Sequence, residues 1–149
     1  MPKKPDDRRM RAWESMLFAH TALLRQLDHD LAEQFDMPLP WYEVLLLLYR
    51  APCRRMRMQE LGERLVFTPS GMTRLIDRMA EAGLVRREEC PSDRRGKFAA
   101  LTDEGVARFR EAGPVHLKGI QEHFGRHVSD DEADVIGDAL GRVLDRLRS

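Results

Sequence analysis

The chain has 149 residues, 42% of them apolar, which is enough for one buried core, and no run of the roughly 18 apolar residues that a membrane span needs. Its formal net charge of zero argues against indiscriminate polyanion binding, yet the charge is segregated: residues 54–97 hold eleven Arg/Lys against seven Asp/Glu, and residues 101–149 hold seven against ten. Two cysteines, Cys53 and Cys90, are too few and too distant for a disulfide framework or a zinc cluster, and the charged start MPKKPDDRRMR lacks the apolar run of a secretory signal, so a single cytoplasmic domain over 1–149 is expected.

Trp13, Met16, Leu17, His20, Leu23, Leu24, Leu27, Leu31 and Phe35 keep one helical stripe and predict a long first helix over about 8–36. Met37-Pro38-Leu39-Pro40 breaks it. Trp41, Val44, Leu45 and Leu48 open a second, shorter helix that Ala51-Pro52 ends, and Cys53 in the following connector reads as a small buried apolar residue. MQELGERL, from Met58 to Leu65, is a short amphipathic helix with Leu61 and Leu65 inward and Gly62 allowing close approach of a neighbour. Val66 and Phe67 form a turn. Thr68-Pro69 then starts another helix, because Thr can accept from free N–H groups and Pro is preorganised for the first helical position.

Met72, Leu75, Ile76 and Met79 bury one face of that helix and leave Ser70, Gly71, Thr73, Arg74, Asp77 and Arg78 outward. Ala82-Gly83 stops it, and residues 84–87 and 97–101 read as two short strands joined by EECPSDRRG, a hairpin with Arg94 and Arg95 at a charged tip. Thr102 caps the next helix, with Val106 and Phe109 on its inner side, and a kink is expected at Pro114 before Leu117, Ile120 and Phe124. Ser129-Asp-Asp-Glu132 is a capping box for a last helix whose stripe is Val135, Ile136, Ala139, Leu140, Val143, Leu144 and Leu147.

A short helix, a turn, a second helix bearing hydroxyl and Arg side chains, and a basic hairpin make a mainly α fold with a small β-wing, the winged helix-turn-helix. Its chemistry suits double-stranded DNA: Thr68, Ser70, Gly71, Thr73, Arg74 and Arg78 suit a major groove, while Arg94, Arg95 and Lys97 suit phosphate and a narrow minor groove. The second helix also aims a positive dipole end and free N–H groups towards phosphate.

TPSGMTRLIDRMAEAGLVRR followed by SDRRGKFAALTDEG resembles the MarR family of bacterial transcription regulators, with the Asp-x-Arg wing and the Leu-Thr before the next helix in family order. The resemblance runs over almost the whole chain. It implies a two-fold homodimer joined through the terminal helices, about 8–36 and 103–148, with a winged lobe over about 40–102, and a pseudo-palindromic operator read in successive major grooves about 34–36 Å apart. It further implies a regulator, expected to be a repressor, released by a small aromatic or lipophilic ligand.

Trp13, Met16 and His20 on the first helix could line such an effector pocket, although a Met and aromatic stripe at helical spacing is usually core. His116, His123 and His127 are expected in one helix, where the last two could face a metal at i, i+4, but without a Cys or a second carboxylate no metal site is assigned. Cys90, near Arg87 and Arg94 but also Glu88 and Glu89, could sense oxidants. No nucleophile-base-orienter set and no phosphate-binding glycine loop is present, so neither an enzyme nor a cofactor is expected. The alternatives to ligand-controlled DNA binding are a redox- or metal-responsive regulator and a winged-helix protein-interaction module. Exposed Arg74, Arg78, Arg94 and Arg95 weigh against the last.

Overall fold

A computed structural model describes residues 7–90 and 93–149, the side chains of residues 90 and 93–95 excepted. Helices α1 (Asp7–Phe35) and α2 (Leu39–Arg50) are followed by a short 3-10 turn (Pro52–Arg54), strand β1 (Arg55–Arg57) and helices α3 (Met58–Leu65) and α4 (Pro69–Glu81). Strands β2 (Val85–Cys90) and β3 (Asp93–Leu101) lead to α5 (Asp103–His123), a second 3-10 turn (Gly125–His127) and α6 (Asp130–Arg148). The chain divides into a central unit, 28–116, and a terminal unit made of 1–27 and 117–149.

The central unit holds nearly all of the buried core. Leu31, Met37, Val44, Leu45, Leu48, Leu61, Met72, Ile76 and Met79 are at most 1% exposed, each adding about 1.5–3 kcal/mol of burial. Local chemistry sets the boundaries. The Asp28 carboxylate accepts from the Leu39 amide at 2.7 Å and so caps α2 across the break, while the Arg108 guanidinium donates to the Phe35 carbonyl at 2.7 Å and closes α1. The α3–α4 turn is tight. The Phe67 amide donates to the Gly62 carbonyl at 2.8 Å, and Val66 sits at φ 58, in the left-handed region, with its side chain 90% exposed.

The sheet is antiparallel in the order β1-β3-β2. Both hairpin strands run further towards the tip than the sequence suggests, and β1 is an addition to it. Three residues show too little alternation to be read as a strand, and β1 is fixed by pairing with Ala100, Ala99 and Phe98. The guanidinium groups of Arg55 and Arg57 both lie over the Phe98 ring, 5.2 and 5.4 Å from its centroid, cation–π contacts at the root of the wing.

Two expectations are corrected. Cys53 is exposed rather than buried, because it adopts φ 54 in the 3-10 turn and Arg54 follows at φ 51, a left-handed pair that faces the thiol to solvent. His127 is not on the helix of His116 and His123. That helix ends at His123, and Gly125 opens the turn that contains His127. Pro114 lies inside a continuous α5.

Within the central unit, Tyr42 packs against Phe109 and His116, at centroid distances of 5.3 and 4.3 Å. His116 Nδ1 is buried without a hydrogen-bond partner among the described residues, and burial pushes this imidazole below the ordinary histidine range. The sign of its effect on stability follows. The unfolded chain takes up a proton near pH 6.5, the folded chain only at lower pH, so the stability is full above that value and falls as the pH drops through it. Urea midpoints at pH 7.5 and 5 are expected to differ less for His116→Phe than for the unsubstituted chain; an unchanged acid-side loss would assign it to other groups.

In the terminal unit, α6 has no buried residue. Its capping box is formed as the sequence implies: the Glu132 amide donates to Ser129 Oγ at 3.3 Å and the Ser129 amide to the Glu132 carboxylate at 2.9 Å, which holds that carboxyl below its usual range. The apolar stripe of α6 is open, with Val135 68%, Val143 53% and Leu147 76% exposed, and on α1 Trp13 is 54% and Phe18 68% exposed.

Candidate nucleic-acid interface

Helix α4 owes its start to one side chain. Thr68 Oγ1 accepts from the Gly71 amide at 3.1 Å and lies 3.4 Å from Ser70 Oγ, and Pro69 occupies the first turn. Gly71 has a structural reason in addition to its place on the outward face, since a Cβ there would stand 3.0 Å from Thr68 Oγ1 and 3.4 Å from the Phe67 ring. At the far end Gly83, at φ 80, closes the helix with its amide on the Ala80 carbonyl and the Leu84 amide on the Met79 carbonyl, both at 3.0 Å.

Met72, Ile76 and Met79 are buried on the inner face, and Thr68, Ser70, Thr73, Arg74, Asp77 and Arg78 are exposed. Arg74 and Arg78 make no hydrogen bond or ion pair among the described residues, so both guanidinium groups keep their donors for an external acceptor. Lys97 is exposed on β3. Arg94 and Arg95 belong to the same strand, but their side chains, like that of Cys90, lie outside the described residues.

Between α3, α4 and the sheet lies a cleft of about 560 Å³ whose walls include Arg57, Glu63, Thr73, Arg87 and Lys97. Two of its basic residues were not singled out by sequence reasoning. Arg57 immediately precedes α3 and is exposed, stacked on Phe98. Arg87, on β2, reaches α4: its Nη2 lies 2.7 Å from the Asp77 carboxylate and donates to the Thr73 carbonyl at 3.3 Å. Neither has a local signature, because each acquires its position from strand pairing across distant residues.

Trp13, Met16 and His20 are exposed along α1. A shallow depression in the terminal unit, about 450 Å³, is lined instead by Ala19, Ala22, Leu23, Gln26, His123, Phe124, His127 and Val128. Among the described residues no group of three or more His, Cys, Asp or Glu is placed to hold a metal ion, and no helix is long and apolar enough to cross a membrane.

A supporting helix, a tight turn, a capped helix with a polar outer face and a three-stranded wing define a winged helix-turn-helix protein. A family model for the MarR family matches residues 35–96. The chain is 34% identical to AbsC and 32% identical to Sco3205, both MarR family transcriptional regulators from Streptomyces coelicolor. The AbsC structure superposes with a TM-score of 0.87 over 98% of each chain; that of Sco3205, in complex with DNA, with 0.89 over 100% of this chain and 93% of that one. YetL of Bacillus subtilis, an HTH-type transcriptional repressor, is 33% identical over 106 residues, which are 71% of this chain and 63% of YetL. For YkoM of the same organism the match covers 58% of the relative, so the chain spans less than two thirds of either of these relatives. The chain belongs to the MarR family of transcription regulators.

Proposed function

We propose that this chain is a sequence-specific DNA-binding transcription regulator that acts as a homodimer on a pseudo-palindromic operator. The observation that carries the reading is the outer face of α4, where Arg74 and Arg78 are exposed and unpaired among the described residues beside the hydroxyls of Ser70 and Thr73. Thr68, Gly71 and the α4 N-terminus suit phosphate, Arg74 and Arg78 suit the acceptor pair of guanine, and Lys97 with Arg94 and Arg95 suits the backbone and minor groove. The DNA-bound Sco3205, similar over its whole fold, supports this assignment.

The dimer reading is supported by the open apolar stripes of α1 and α6, since extended exposed apolar faces mark interaction surfaces. Repression by occupancy, relieved by a small aromatic or lipophilic compound held near Trp13, Met16 and His20, completes the proposal. Arg74→Ala is expected to cost about 1–3 kcal/mol on a preferred duplex and to relax the preference at one base position in each half-site. Binding to a panel of singly permuted duplexes measures it. An equal loss on random DNA would reduce Arg74 to a phosphate neutraliser.

A further inference from the structure

Asp77 is out of place on a surface meant for a polyanion. It is the sole acid on the outward face of α4 between Ser70 and Arg78, and its side chain is 51% exposed. It also stands three residues after Arg74, the spacing at which an Asp and an Arg on one helix meet. Left to itself, the carboxylate would pair with Arg74 and occupy the guanidinium edge that base reading requires. Arg74 nevertheless makes no ion pair among the described residues, because Asp77 is already held from the other side by Arg87 on β2, at 2.7 Å.

We infer that Arg87 is a positioning residue for base recognition: it draws the Asp77 carboxylate to the wing side of α4 and so keeps Arg74 free to read DNA. The inference rests on the DNA-binding reading above and adds a division of labour among its arginines. Arg87 has a second anchor that fits this role, since its guanidinium also donates to the Thr73 carbonyl, one turn before Asp77. Its side chain is 31% exposed, less than those of the arginines that face solvent on the same sheet, Arg55 at 45% and Arg86 at 59%. The double contact fixes the strand against the helix as well as neutralising the acid, so the wing and α4 present one surface of fixed geometry. In this arrangement Arg87 acts on DNA through Asp77 and Arg74, not by touching phosphate.

The test uses the full chain and a pool of random duplexes, from which the unsubstituted protein selects its preferred sequence. Arg87→Ala is expected to weaken binding to that selected duplex by about three- to tenfold, because Arg74 is captured and an unmasked carboxylate faces phosphate, with less than about twofold change on unselected DNA. Arg87→Ala combined with Asp77→Asn is expected to recover binding to within about twofold of the unsubstituted chain. Rescue confined to the selected duplex separates this role from a lost phosphate contact, whose charge Asp77→Asn would offset on any DNA alike, and from unfolding, which the second substitution would not reverse. The side-chain N–H resonance of Arg74 in the free protein gives a readout that needs no DNA: it should move in Arg87→Ala and return in the double variant. Failure of the unsubstituted chain to select any sequence would overturn the DNA-binding reading. Selection followed by a double variant as weak as Arg87→Ala, with an Arg74 resonance that never moves, would overturn the role of Arg87.

Discussion

Replacing Leu140 and Leu144 by aspartate is expected to convert the protein to a folded monomer and to weaken binding to a two-half-site duplex by at least about a hundredfold. Both side chains are already open in the single chain, 38% and 49% exposed, so charging them removes little from the protomer's own core. In the proposed dimer they would face the partner. A 19-residue helix with no buried residue lacks the packing from which helices in water draw most of their stability. A second copy laid on the stripes of α1 and α6 would supply it, at about 1.5–3 kcal/mol for each large side chain fully covered. Two carboxylates on that stripe would have to be desolvated or left apart. Light scattering at micromolar concentration, with circular dichroism as the check on folding, decides the matter. A monomer mass for the unsubstituted chain, or an intact dimer in the double variant, would sink the proposal.

The second large effect is expected at a glycine. Gly105→Ala should cost about 3 kcal/mol or more, a substantial part of the roughly 5–15 kcal/mol that holds a domain together. The reason is steric. A Cβ on Gly105 would run into the Leu84 carbonyl, which belongs to backbone, and would approach Leu101 Cδ1 to 2.8 Å. That carbonyl cannot swing away, because it accepts from the Thr102 amide at 3.2 Å, while Thr102 Oγ1 accepts from the Gly105 amide at 3.0 Å and donates to the Gly83 carbonyl at 2.6 Å. The junction of α4, the wing and α5 is thus locked around one hydroxyl. Gly62→Ala provides the contrast: its Cβ would find the Phe67 carbonyl oxygen at 3.4 Å and Met72 Cβ at 3.8 Å, ordinary contacts, and alanine gains up to about 1 kcal/mol of helix propensity. Denaturant midpoints for the two variants should move in opposite directions, and similar losses would mean that the junction yields.

The same residues explain what the sequence disclosed and what it withheld. Elements punctuated by local chemistry were legible: Thr68-Pro69 and Gly83 bracket α4, Thr102 precedes α5, and Ser129 with Glu132 starts α6. Each signal acts within a few residues of the boundary it sets. Features made by distant partners were not legible. Strand β1 exists because β3 offers it an edge, and Arg87 reaches Asp77 because β2 is placed beside α4. Cys53 took an apolar reading from its residue type, whereas a left-handed backbone, which nothing in Pro52-Cys53-Arg54 announces, puts it in solvent. The outer face of α4, proposed to read bases, was within reach because helical periodicity alone separates Arg74 and Arg78 from Met72 and Ile76. The hand that steadies Asp77 on that face was not.

Val66 gives the helix-turn-helix an unexpected margin. A side chain in the left-handed region costs about 1–2 kcal/mol, and one that is 90% exposed recovers little of it by burial. Glycine would escape that penalty without disturbing the core or the outer face of α4. Regulators change their target sequences by altering surface residues of the recognition helix, and such changes often weaken the fold. Here the compensating change stands two residues before the Thr68 cap, so on the proposed reading room to vary the outer face of α4 is stored in the turn that introduces that helix.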